Sequence, residues 1–182
     1  MNLISIWFSL STLLLTAMVS GGYSTSTTPR FDRAVFFTQP PRLLSVTSTF
    51  NNVNAPAIYR FTISLSQAAG NSLQRLELKQ VSGSEAIQFS PQRVQISREE
   101  NRRSERTLSA QLTVDQTKQT VLVTIDPPIS PGTICTFALR PVRNPSADGI
   151  YLLAVTAFPA GEHAQGYFLG FGRFQLYQSG EE

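Results

Sequence analysis

Apolar and polar residues alternate one by one along most of the chain after residue 33. The clearest run is Ile58–Ser66, where Tyr59, Phe61, Ile63 and Leu65 fall on one side and Arg60, Thr62 and Ser64 on the other. A period of two marks a strand buried on one face and wet on the other. Leu73–Val81 repeats it, with Leu76 and Leu78 inward and Arg75, Glu77 and Lys79 outward. Thr107–Val114 places Leu108, Ala110, Leu112 and Val114 on one face, and Val121, Val123 and Ile125 continue the pattern. The next strand presents Thr133, Cys135, Phe137 and Leu139 together. Ile150–Phe158 differs, being apolar at Tyr151, Leu153 and Val155 and also at Ile150, Leu152 and Ala154. Such a run is expected of a central strand covered on both sides. Shorter strands are predicted at Arg33–Thr38, Leu43–Phe50, Ala86–Phe89 and Arg93–Ile96, and a last one at Tyr167–Tyr177.

Turn chemistry separates these runs. Pro40-Pro41, Asn51-Asn52 and Asn54-Ala55-Pro56 favour turns, because Pro fixes φ and Asn tolerates left-handed backbone. Gln67–Asn71 reads as a loop or a single helical turn, and Asp115–Lys118 as a hairpin turn. Pro91 is expected to split the two strands on either side of it. Pro127, Pro128 and Pro131 cannot donate to a ladder, which predicts a strand end at Asp126. Gly132 permits a sharp reversal. Gly170 and Gly172, at alternate positions of the last strand, signal a bulge or a close approach of another segment. Nine to eleven short strands and no amphipathic helix of useful length predict an all-β, two-layer β-sandwich over residues 33–178, immunoglobulin-like in the loose sense.

The segment before it is of another kind. Residues 3–19 carry no charge, and small residues follow at Ser20-Gly21-Gly22. This is the pattern of a secretory signal peptide over residues 1–22, with an uncleaved membrane anchor as the alternative. Residues 23–32 read as a polar linker. Membrane contact is expected only through this segment, and only if it is retained.

Charged residues make up only 15% of the chain against 41% hydrophobic, so a core can be buried. The formal charge of +3 is too small to argue for nucleic acid unless the cations cluster. One cysteine, Cys135, forbids an internal disulfide, and one histidine, His163, excludes a His-rich metal site. Cys135 shares a face with Phe137 and Leu139 and reads as a small buried hydrophobe. No cofactor is expected. The mixed-sign run Arg98–Arg106 reads as a solvated hairpin tip, with an acidic-polymer site as the alternative. Binding candidates lie at strand ends: Asp126, Arg140, Arg143, Asn144 and Asp148. The two arginines suit a sugar or a carboxylate ligand, or else pair with Asp148 or Asp126. The oxygens of Asp126, Asn144 and Asp148 suit Ca²⁺ only if they converge, and turn capping explains them without a metal. A hydrolase would have to use His163 beside Glu162. No Gly-x-Ser-x-Gly elbow accompanies it.

Five stretches resemble one family: Ile125-Asp126-Pro127-Pro128-Ile129-Ser130-Pro131-Gly132, Leu139-Arg140-Pro141-Val142-Arg143-Asn144-Pro145, Gly149-Ile150-Tyr151-Leu152, Ala157-Phe158-Pro159-Ala160-Gly161 and Phe168-Leu169-Gly170-Phe171-Gly172-Arg173. Tyr59-Arg60-Phe61 and Ala69-Gly70 match more weakly. The family is a cyanobacterial secreted domain of unknown function, number 2808, and the resemblance runs from about Phe36 to Tyr177. Arg98–Arg106 departs from it as an insert-like loop. The resemblance implies a leader and an exported place in the periplasm or envelope, and it brings no activity. The expectation is an exported envelope module that binds or packs against an unknown envelope protein or polymer through loops at one end of the sandwich. An envelope hydrolase using His163 is the alternative.

Overall fold

The computed structural model describes residues 33–100 and 104–178. They belong to one unit that begins at Asp32. The leader and linker expected over 1–32, and the tip of the Arg98–Arg106 run, lie outside the described residues.

Among the described residues, ten strands form two antiparallel five-stranded sheets. They are β1 Arg42–Ser48, β2 Tyr59–Ser64, β3 Leu73–Ser82, β4 Phe89–Glu100, β5 Ser104–Leu108, β6 Ala110–Asp115, β7 Thr120–Ile129, β8 Ile134–Pro141, β9 Gly149–Pro159 and β10 Tyr167–Leu176. One sheet has the order β1-β2-β8-β4-β5 and the other β10-β9-β3-β7-β6. A 3-10 turn, Gln67–Ala69, follows β2, with Ser66 Oγ accepting from Ala68 N.

The core lies between the sheets and is made by the inward half of each alternation. Tyr59, Phe61 and Ile63 of β2 are fully buried, as are Leu73, Leu76 and Leu78 of β3 and Cys135, Phe137 and Leu139 of β8. Aromatic rings tie the layers together. Tyr59 stacks on Phe174 of the opposite sheet at 4.1 Å, while Phe61 and Phe89 meet the same pair edge-on. Each such burial stabilises by about 1.5–3 kcal/mol, so packing holds these layers together without a disulfide.

Five local expectations are corrected. Arg33–Thr38 is not a strand: it makes one parallel bridge, Val35 to Ala164, because its backbone bonds go to turns at His163, Gln165 and Ala69. Pro91 does not split its run, because it sits inside a bulge between Phe89 and Val94 of β4, where no ladder bond is required of it. The predicted end at Asp126 is also absent. β7 continues to Ile129 through a second bulge, with a cis Asp126–Pro127 bond, and rejoins β3 at Leu73. The Thr107–Val114 run is two strands, not one. It crosses between sheets at Ser109, whose carbonyl accepts from Asp126 N, so that one edge of the sandwich turns a corner. Finally, β9 is central but not covered on both sides. Its inner residues are buried, whereas Ile150 is 45% exposed and Leu152, Ala154 and Phe158 are half-buried on an outer face. Arg75 screens part of that face by lying over the Phe158 ring at 5.0 Å.

Candidate functional site

Two short connections on neighbouring layers meet at the pole where β8 ends and β9 begins. One is residues 83–88, between β3 and β4; the other is 142–148, between β8 and β9. Buried polar groups pin both. Gln80 follows Leu76 and Leu78 in phase, so its carboxamide enters the interior, where burial without partners is costly. Its Nε2 donates to Glu85 O at 2.7 Å and its Oε1 accepts from Ile87 N at 2.8 Å. Glu85 then reaches across. Its Oε2 accepts from Ser146 N at 2.7 Å, Ser146 Oγ at 2.8 Å and Ala147 N at 3.3 Å. These bonds, the Ser146 hydroxyl first, with Arg143 adding its charge, hold the Glu85 carboxyl below the ordinary carboxylate range.

The second connection is anchored by Asn144, which is fully buried. Its Oδ1 accepts from Tyr59 Oη at 2.7 Å, and its Nδ2 donates to Phe50 O at 3.0 Å and Asn52 O at 2.8 Å. Its backbone N donates to Ala55 O at 2.8 Å. Burial, with Tyr151 nearby, raises the Tyr59 pKa, so the phenol stays protonated and donates. Tyr151 Oη donates to Ala147 O at 2.8 Å from the inner face of β9. Between these fixed segments lies a cleft of about 500 Å³ lined by Asn54, Glu85, Gln88, Val142, Arg143 and Ser146, among others. Arg143 and Val142 stand exposed at its wall, Val142 by 56%.

The five sequence candidates are dispersed by the fold. Arg143 and Asn144 meet at this cleft, Asn144 with its amide groups bonded inside the chain. Asp148 is exposed in the same connection but does not line the cleft. Arg140 lies on the outer face of β8, in a separate trough. Asp126 sits toward the other pole, where β7 and β9 pair with the start of β3 through Ile129 and Pro159. The three loops that carry the family stretches therefore do not share one end of the sandwich: those following Asp126 and Pro159 are at one pole and that following Val142 is at the other. Asp126 cannot converge with Asn144 and Asp148 on a cation. Among the described residues no group of three or more His, Cys, Asp or Glu is placed to hold a metal ion, and the ion pair formed is Lys118–Asp115 at 3.3 Å. His163 is exposed in the turn between β9 and β10, its carbonyl accepting from Val35 N, at the pole opposite Arg143.

Glu85 and Gln80 were missed from sequence. Gln80 was findable, because an amide in phase with buried leucines calls for an internal partner. So were the hydroxyls of Tyr59 and Tyr151, since an inward Tyr needs an acceptor. Glu85 carries no such signal, because its partners come from 61 residues away.

A family model described as "Protein of unknown function (DUF2808)" matches residues 34–176, which include both pinned connections and all ten strands. The chain belongs to this family. A comparison with curated proteins found no match. Among solved structures, the DUF2808 chain is similar to the collagen-binding domain of a Staphylococcus aureus adhesin, at 12% identity and a TM-score of 0.43, covering 80% of this chain and 99% of that one. It is also similar to an uncharacterised Nocardia farcinica protein with an immunoglobulin-like fold, at 11% identity and TM-score 0.40, covering 72% and 96%. A DUF4466 protein of Parabacteroides merdae has 10% identity and TM-score 0.46, covering 78% and 46%. Likenesses this distant carry nothing about ligand or activity.

Proposed function

We propose that this DUF2808 chain is an exported module of the cell envelope, in a cyanobacterium as the family resemblance implies, that captures a protein or polymer partner without chemistry of its own. The leader over residues 1–22 would direct it to the periplasm or envelope, where a fold held by packing needs no crosslink. The observation that carries the binding role is the Arg143 cleft. Its two walls are fixed by internal hydrogen bonds of Asn144, Gln80 and Glu85, which leaves the Arg143 guanidinium and the Val142 side chain presented to solvent. Loops held on a rigid scaffold bind at a lower ordering cost than loose ones. A hydrolase using His163 is not favoured, because the residues gathered at the cleft do not include it.

The test is capture of envelope material by the immobilised exported protein. Arg143→Ala should weaken capture about tenfold, the scale of one charge-assisted hydrogen bond, with an unchanged melting temperature. Capture that is the same in the variant rejects the cleft as the binding surface.

A further inference from the structure

The outer face of the β1-β2-β8-β4 sheet carries a trough of about 440 Å³, separate from the cleft. Strand register builds it in rows. One row is hydroxylic across four strands, Ser45, Thr62, Thr136 and Ser97, and the Thr62 and Thr136 hydroxyls are bonded at 3.0 Å. The next row is Thr47, Arg60, Ala138 and Gln95. Ala138 is the low point of that row, since its methyl leaves a floor between the longer Arg60 and Gln95. Arg140, two residues further along β8, projects from the same face, diagonal to Arg60 at about 7–8 Å between backbones. Four strands at about 4.8 Å spacing make the trough about 14 Å across.

The chemistry of the lining is selective. Among the described residues that line it there is no carboxylate and no aromatic ring, and neither Arg60 nor Arg140 has an ion-pair partner. Two uncompensated guanidiniums call for anions, and their planar forks fit carboxylates in a bidentate way. The hydroxyl and amide rows are suited to donating to and accepting from sugar hydroxyls. Without rings there is no platform for stacking bases, which single-stranded nucleic acid requires. Its large apolar members, Ile58 and Ile96, are half-buried and buried, so neither projects as a wedge to enter a lipid layer.

We propose that this trough binds a strand of acidic polysaccharide, with sugar carboxylates on Arg60 and Arg140 and sugar hydroxyls on the Thr62–Thr136 row and Gln95. This site is independent of the Arg143 cleft. The probe is oligogalacturonate, titrated into the purified exported protein at low salt, with neutral dextran oligomers and a single-stranded DNA of equal charge as comparators. The expected result is saturable oligogalacturonate binding that falls at least tenfold in the Arg60→Gln/Arg140→Gln double variant, which keeps the side-chain stems and the melting temperature. Ala138→Phe, which fills the floor, should also weaken it, and Arg143→Ala should not. Four results would overturn the assignment: no saturable binding, equal binding by the double variant, equal binding of dextran, or tighter binding of the DNA. Loss in Arg143→Ala alone would also overturn it, by moving the ligand to the cleft.

Discussion

Glu85 shows how one exposed side chain can order a loop. Its carboxylate accepts three hydrogen bonds from Ser146 and Ala147, and these favour the charged form. A carboxyl whose folded pKa is depressed stabilises the fold above its unfolded pKa, about 4.3. That contribution is lost as pH falls through the folded value. The 142–148 connection should therefore loosen below about pH 4.3, seen as faster amide exchange at Ser146 and Ala147, whose N–H groups lose their acceptor. Glu85→Gln should show the faster exchange already at neutral pH and little further change on acidification. Equal protection in the variant would show that Asn144 and Tyr151 hold the connection alone. At the same scale, Asn144 was legible as a strand-end residue but not as a buried one. Its partners Tyr59, Phe50 and Asn52 lie 85 to 94 residues away in sequence, and only folding brings them to it.

Among the elements, the irregular places do most to set the shape. Two of the four edge strands among the described residues, β1 and β10, contain a bulge, at Leu44 and Leu169. A bulged edge pairs poorly with a foreign strand, which protects against edge-to-edge association. In β10 the bulge passes through Gly170 at φ 134°, a conformation that disfavours side chains. Gly172 serves a different purpose. A Cβ there would stand 2.8 Å from Phe61 Cε1 and 3.1 Å from Val46 Cγ1, both of the opposite sheet, so glycine lets the edges close. Gly172→Val should overpack this seam and cost about 1–3 kcal/mol, measured by denaturant unfolding, while Phe171→Val, at an exposed neighbour, should cost little. A Gly172→Val variant of undiminished stability would mean that the edges can part freely.

Over the whole molecule, cohesion rests on apolar packing, and the one thiol reports on it. Cys135 is fully buried, and burial pushes its pKa up to about 12, with Arg98 opposing. A thiol that is neither accessible nor ionised is inert. Labelling of Cys135 by an alkylating reagent should therefore be negligible in the native protein and should appear with the global unfolding transition in denaturant, as a core position opens only with the whole. Prompt labelling under native conditions would show that the β2–β8 layer opens locally.

The sequence by itself determined the class of fold and most of its inner face. Period-two alternation is a local property of the chain, and burial of Tyr59, Phe61, Ile63, Leu76, Leu78, Cys135, Phe137 and Leu139 follows from it once two sheets meet. Proline punctuation was less informative. Its meaning depends on whether a ladder bond is required at that point, and the bulges at Pro91 and Pro127-Pro128 remove the requirement. The crossing at Ser109 was invisible for a related reason: alternation continues unbroken through it while the partner sheet changes. The grouping of surface residues was decided by tertiary structure alone. Strand order sends Asp126 to one pole, Arg143 and Asn144 to the other, and Arg140 onto a sheet face beside Arg60, because contacts between distant strands, not spacing along the chain, choose the neighbours of a surface side chain.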